Sequence, residues 1–187
     1  MFKKTVFFFL FFSFFLNNHL LTENKVKIIE KLKLTKSLKF EFKQKTNEIN
    51  EQGTCYLIFP EKLKCIYDDK SGKEIIVNKN ILAVIKKKYN KTYFYPINKS
   101  PFFKILSKKK LIKLINNSSF TEAGNNFELI YQSQQAEKIS IFFNKKDMVL
   151  NGWKTQDKYQ NKIIFLINII TINENFDPRI FKIPPIN

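Results

Sequence analysis

The stretch Ser37-Leu38-Lys39-Phe40-Glu41-Phe42-Lys43-Gln44 decides the fold class. Its apolar residues, Leu38, Phe40 and Phe42, fall at every second position, with Lys39, Glu41 and Lys43 between them. Alternation of period two describes a strand with one buried and one wet face, the habit of antiparallel sheet. Upstream, Thr22 suits a helix N-cap and Glu23 the positive end of a helix dipole. Val26, Ile29 and Leu32, with Ile28, recur at helical spacing among lysines, so an amphipathic helix precedes the strand.

Downstream, Asn47–Gly53 reads as a turn, and short apolar runs then follow at close intervals. They are Thr54–Phe59, stopped by Pro60, then Leu63–Tyr67, Glu74–Asn78, Ile81–Ile85 and Thr92–Ile97. Short connections predict a meander in which chain neighbours are spatial neighbours. Pro101 can open a helix whose apolar face holds Phe102, Ile105 and Leu106, and Leu111, Ile112, Leu114 and Ile115 mark a second. Asn116–Asn126 reads as a polar loop. Strands resume at Phe127–Gln132, Lys138–Asn144, Met148–Thr155 and Ile163–Ile170, with Asn144–Asp147 as a hairpin turn. An antiparallel sheet of about ten to eleven strands has to curl or close. The expected fold is therefore mainly β (α+β): an unclosed antiparallel β-barrel with a lid of short helices over an apolar cavity.

Residues 1–21 have the layout of a secretory signal peptide. Lys3 and Lys4 form a positive start, and Val6–Leu16 is an apolar run broken only by Ser13, too short to span a bilayer comfortably. Export to the periplasm is the expectation, with residues 22–187 as a single domain. The formal net charge of +17 invites a nucleic-acid or anionic-membrane reading. Lysines recur all along the chain, however, beside an excess of Asn, Ile and Phe, the residues of AT-rich codons. Composition therefore accounts for the charge in this reading, and an exported chain meets no nucleic acid.

Catalytic chemistry finds little to work with. The one histidine, His19, lies in the expected signal segment, which removes Ser-His-Asp and Cys-His nucleophiles and the usual zinc ligand sets. Gly53, Gly72, Gly124 and Gly152 are too scattered for a phosphate-binding loop. Asp68-Asp69 would point to opposite faces on a strand and reads as a solvated turn. No enzyme activity, cofactor or metal is expected. Cys55 and Cys65 flank Pro60 five residues to either side. A hairpin folded there sets them opposite each other on one face, where a disulfide and two small buried apolar residues are both compatible with the pattern.

In this order the segments resemble the outer-membrane lipoprotein carrier family (LolA type) across the chain after the signal. The resemblance rests on the helix leading into Ser37–Gln44 and on Gly53 leading through a strand to Pro60. It continues in the strand ending at Tyr67-Asp68, the Ile75-Ile76-Val77 strand, and Tyr95-Pro96-Ile97 before Pro101 and Leu106. Asp147–Asp157 and the closing Phe181-Lys182-Ile183-Pro184 complete it. It implies a monomeric periplasmic chaperone that holds the acyl chains of lipoproteins in a hydrophobic cavity. Such a carrier takes cargo from an inner-membrane lipoprotein-releasing transporter to an outer-membrane acceptor. The alternative is a periplasmic regulatory or structural module of the same fold that binds a partner protein.

The expected cavity wall is Leu38, Phe40, Phe42, Leu57, Phe59, Leu63, Cys65 and Tyr67. The expected lid residues are Val26, Ile29, Leu32, Phe102, Leu106 and Leu111. Phe59 stands where the family places an arginine that pins the lid by hydrogen bonds, so the expectation here is a lid closed by apolar contact alone. Lys64-Cys65 stands where an aromatic residue often lines the cavity, which would make the pocket smaller at that point.

Overall fold

Ser37-Leu38-Lys39-Phe40 and the residues after them form the central strand of one sheet, paired on both sides. The computed structural model describes residues 22–99, 103–133, 138–156 and 160–185. A helix over residues 22–34 (α1) leads into β1 (Ser37–Thr46). A meander follows: β2 (Ile49–Ile58), β3 (Lys62–Tyr67), β4 (Lys73–Asn78), β5 (Ile81–Lys86) and β6 (Lys91–Pro96). Two short helices come next, α2 (Phe103–Leu106) and α3 (Lys108–Asn116). A second meander closes the chain: β7 (Ser119–Ala123), β8 (Asn126–Gln132), β9 (Lys138–Asn144), β10 (Leu150–Gln156) and β11 (Lys162–Ile172).

Every pairing is antiparallel, and the order is β6-β5-β4-β3-β2-β1-β11-β10-β9-β8-β7. The two meanders meet where β1 pairs with β11, with Phe42 opposite Ile167 and Gln44 opposite Phe165. The outer strands β6 and β7 are not paired to each other, so the sheet curls without closing. The connection from one edge to the other carries α2 and α3. Among the described residues no helix is long and apolar enough to cross a membrane.

Two glycines let neighbouring strands approach closely. A Cβ on Gly53 would sit 2.0 Å from the Ile66 carbonyl oxygen, and one on Gly152, at φ +146°, 2.3 Å from that of Phe165. Neither distance leaves room for a methyl group, so the backbone of β2 and β10 crowds its neighbours only because these residues lack side chains.

Three sequence expectations shift. The loop expected at Asn116–Asn126 contains β7, an edge strand whose single apolar anchor, Phe120, is too little for a period-two signal to register. The turn expected over Asn47–Gly53 narrows to Asn47 and Glu48, because β2 already begins at Ile49. The strand expected from Met148 starts at Leu150, since Met148 takes a left-handed backbone conformation (φ 60°).

The chain beyond β11 lies against the outer side of the first meander. Asn78 donates a side-chain hydrogen bond to the Phe181 carbonyl oxygen at 3.0 Å. Phe176 meets the Tyr56 ring edge-on at 5.4 Å, and Phe181 is fully buried.

Candidate functional site

Alternation along each strand stacks the inward residues into rows across the sheet. Leu38 faces Leu57, Leu57 faces Leu63, and Leu63 faces Val77. The next row runs Phe40, Cys55, Cys65 and Ile75, and the third runs Phe42, Gly53 and Tyr67. These residues line the concave face in one hydrophobic cluster, and all but Gly53 and Ile75, which is partly buried, are buried hydrophobic residues. Of the residues expected to form a wall, seven are buried there. The eighth, Phe59, is partly buried at the rim.

Cys55 and Cys65 are joined by a disulfide with their Cα atoms 4.1 Å apart. It lies in the floor of the hollow, directly across the β2–β3 pair. Closing so short a loop stabilises the fold by about 2–3 kcal/mol.

A ladder of rings crosses from one meander to the other. Tyr67 meets Phe42 edge-on at 4.8 Å, Phe42 stacks on Phe165 at 4.9 Å, and Phe165 stacks on Trp153 at 4.3 Å. Sequence reasoning missed Phe165 and Trp153 as part of this surface. Their link to Phe42 depends on the β1–β11 pairing, which joins residues more than a hundred positions apart.

Beyond the ladder the concave face turns polar. The Tyr67 hydroxyl donates to Gln44 Oε1 at 3.4 Å, and Gln44 Nε2 donates to Glu51 Oε2 at 3.3 Å. Lys73 pairs with Glu51, and its ammonium lies 3.6 Å from the Tyr67 ring centroid. Burial pushes the Tyr67 hydroxyl well above the usual phenol range, and the charges of Glu51 and Asp69 add to the effect.

Three helices cover the apolar part. Ile28, Leu32, Phe103, Ile105, Leu106, Leu111, Leu114 and Ile115 reach down into the cluster. The expected lid residues Leu32, Leu106 and Leu111 are buried there, and Ile29 packs against them. Phe102 lies outside the described residues. Val26 corrects the expectation: it is 48% exposed, and Ile28, fully buried, takes the inward position. The inner face of α1 steps by four, through Asn24, Ile28 and Leu32, and a residue two places from Ile28 points about 200° away. The hollow is filled by these helical side chains rather than standing empty. At its rim, a cleft between Leu32, Leu38, Phe59 and Phe143 holds about 10 Å³, room for about one water molecule and far too little for an alkyl chain.

The lid is held by more than apolar contact, which corrects a second expectation. Lys108 sets its ammonium 5.2 Å from the centre of the Phe59 ring, so the cation comes from the lid and the acceptor from the sheet. The Glu61 amide, in the turn after β2, donates to the Leu106 carbonyl oxygen at 3.4 Å. Burial lowers the pKa of Lys108, and the nearby Lys36 charge lowers it further. Among the described residues, no group of three or more His, Cys, Asp or Glu side chains is placed to hold a metal ion.

Comparison with curated proteins yields no match. Among solved structures, the chain is similar to an uncharacterized conserved protein from Thermus thermophilus, with a TM-score of 0.55 and 9% identity over 87% of this chain and 94% of that one. It is similar to the Mycobacterium tuberculosis lipoprotein LppX, with a TM-score of 0.51 and 9% identity over 84% and 97% of the two chains. It also resembles MucB, with a TM-score of 0.51 and 7% identity, over 88% of this chain and 62% of the other. At such identities the likeness concerns the fold. The sequence itself matches the family profile described as "Outer membrane lipoprotein carrier protein LolA" over residues 33–184. An open antiparallel sheet, a helix-covered apolar concavity and this match over most of the length together place the chain in the LolA family of outer membrane lipoprotein carrier proteins.

Proposed function

We propose that this protein is a periplasmic chaperone that takes the acyl chains of a lipoprotein beneath α1–α3 and carries it from the inner to the outer membrane. The observation supporting this reading is that the apolar concave face of the sheet is covered by helices and not by a second sheet. Each acyl CH₂ withdrawn from water is worth about 0.8 kcal/mol, so a lipidated protein cannot cross an aqueous space uncovered. A guest chain that displaces Ile28, Leu32 and Leu111 exchanges one apolar covering of the sheet for another. The exchange is close to balanced, which suits a carrier that has to release its load.

In this reading Leu38, Phe40, Phe42, Leu57, Leu63, Cys65 and Tyr67 form the binding floor, with Phe59 at the rim. Leu32, Leu106 and Leu111 move with the lid. Residues 1–21 direct export. An inner-membrane transporter supplies the cargo and an outer-membrane acceptor receives it.

The test uses residues 22–187 and a lipoprotein whose fatty acids carry a photoreactive diazirine. After detergent is diluted away, the lipoprotein stays soluble in a one-to-one complex. Irradiation then attaches the acyl chain to concave residues such as Phe40, Leu57 and Tyr67. Attachment confined to the outer face, or equal capture of the same protein lacking its acyl chains, would refute the carrier reading. The second outcome would favour a module that binds a partner protein.

A further inference from the structure

Between Glu74 and Glu122 the chain contains no aspartate or glutamate, yet it contains eleven lysines. At the chain's average frequency those 47 residues would hold about four acids. Codon bias enriches lysine but gives no reason to remove carboxylates from one stretch alone. The fold keeps the stretch together, because it runs from β4 through β5 and β6 into α2 and α3. It therefore makes one edge of the sheet and two of the covering helices, α2 touching the turn after β6 and α3 touching β8.

The side chains face the right way. Leu82 and Val84 point toward the concave side, and they pair with Tyr95 and Tyr93. Tyr93 is 41% exposed and Tyr95 51% exposed, on the same side of the sheet as the helices. Lys86 pairs with Lys91 in the same alternating set, and Tyr89, 56% exposed, stands at the tip of the β5–β6 hairpin. On α3, Leu111, Leu114 and Ile115 face inward, which leaves Lys109 and Lys113 exposed. No carboxylate of the stretch itself answers these charges. Among the described residues no strand lies beyond the β6 edge.

We propose that the β5–β6 edge and the outer face of α3 form a docking surface for an anionic phospholipid bilayer. Tyrosine places an apolar ring and a polar tip at a membrane–water boundary, and lysine supplies a point charge on a long stem. The charges lie scattered over two elements, as a diffuse field of headgroups requires. Recognition of a single phosphate would favour the fork of an arginine, and the chain has just one, Arg179, outside this surface. Docking in this pose sets the lid helices against the bilayer. The inference is independent of the cargo reading, since it is measured without cargo.

The test is cosedimentation of residues 22–187 with phosphatidylcholine vesicles, with and without phosphatidylglycerol, near physiological ionic strength. Binding is expected only with the anionic lipid and falls as salt is raised. The variant Lys86→Gln/Lys91→Gln/Lys109→Gln/Lys113→Gln should bind about six hundredfold more weakly, at about fivefold per lysine. A control with the same change of charge on the outer face, Lys43→Gln/Lys138→Gln/Lys154→Gln/Lys162→Gln, should stay within about threefold of the parent. Tyr93→Ser/Tyr95→Ser should lose about tenfold with no change of charge. Circular dichroism checks that each variant is folded. Equal losses in the two lysine variants would mean that net charge alone acts, and would overturn the proposal. So would failure of the parent to bind anionic vesicles.

Discussion

The Lys108 ammonium donates a hydrogen bond to the Lys33 carbonyl oxygen at 3.1 Å, joining the start of α3 to the end of α1. At the other end of the same helix pair, Lys25 donates to the Ser118 carbonyl oxygen at 2.7 Å. The two helices thus lie antiparallel and are tied at both ends. Each tie ends on a backbone oxygen that has no further turn of helix to bond it. The two helices are therefore joined to each other as a pair.

Removing both ties should loosen α1 without disturbing the sheet. A hydrogen bond of this kind contributes about 1 kcal/mol, so the double variant Lys25→Met/Lys108→Met should speed amide exchange in residues 22–34 at least about fivefold. Hydrogen-exchange mass spectrometry compares those peptides with β1 and β2. Unchanged exchange in α1 would show that apolar packing alone holds it.

Gly53→Ala should be far more costly than Gly124→Ala. At Gly53 the new methyl group meets backbone at 2.0 Å, and backbone cannot step aside as a flexible side chain can. A loss of about 3 kcal/mol or more is expected. At Gly124, with φ +56° and no atom within 4 Å, the penalty is the left-handed conformation alone, about 1 kcal/mol. Urea denaturation of the two variants measures the difference. Equal midpoints would mean that β2 and β3 can separate freely at that point.

Acid should weaken the fold in part through Glu74. Burial by itself raises the pKa of this carboxyl, but Lys87 and Lys64 outweigh that with hydrogen bonds and charge, and hold it below its ordinary value of 4.5. A carboxyl depressed by folding contributes stability that is fully present above its unfolded pKa. That contribution is lost as the pH falls through the folded value, so the loss belongs below about pH 4.5. Glu74→Gln should be less stable than the parent at neutral pH and lose less on acidification. Thermal melts across the carboxylate range measure this. Parallel curves for the two proteins would exclude Glu74 as a contributor.

The floor of the hollow was legible in the chain because strand alternation has a period of two. Once Leu38, Phe40 and Phe42 are known to share a face, Leu57, Leu63 and Tyr67 follow from the same rule in the neighbouring strands. The lid was legible only in part. Val26, Ile28 and Ile29 all lie in one amphipathic helix, and nothing local says which of them faces inward. β7 escaped notice because Phe120 alone anchors it, and an edge strand needs little else.

The order of residues by itself determined which side chains share a face, where strands turn, and that Cys55 can stand opposite Cys65. Such properties depend on backbone geometry over a few residues. Tertiary structure alone decided the aromatic ladder from Tyr67 to Trp153, the orientation of α1 and the contact of Lys108 with Phe59. These depend on the pairing of β1 with β11 and on the path of α2 and α3 between the two open edges. Both are set by burial summed over the whole concave face, a quantity that no short window of sequence contains.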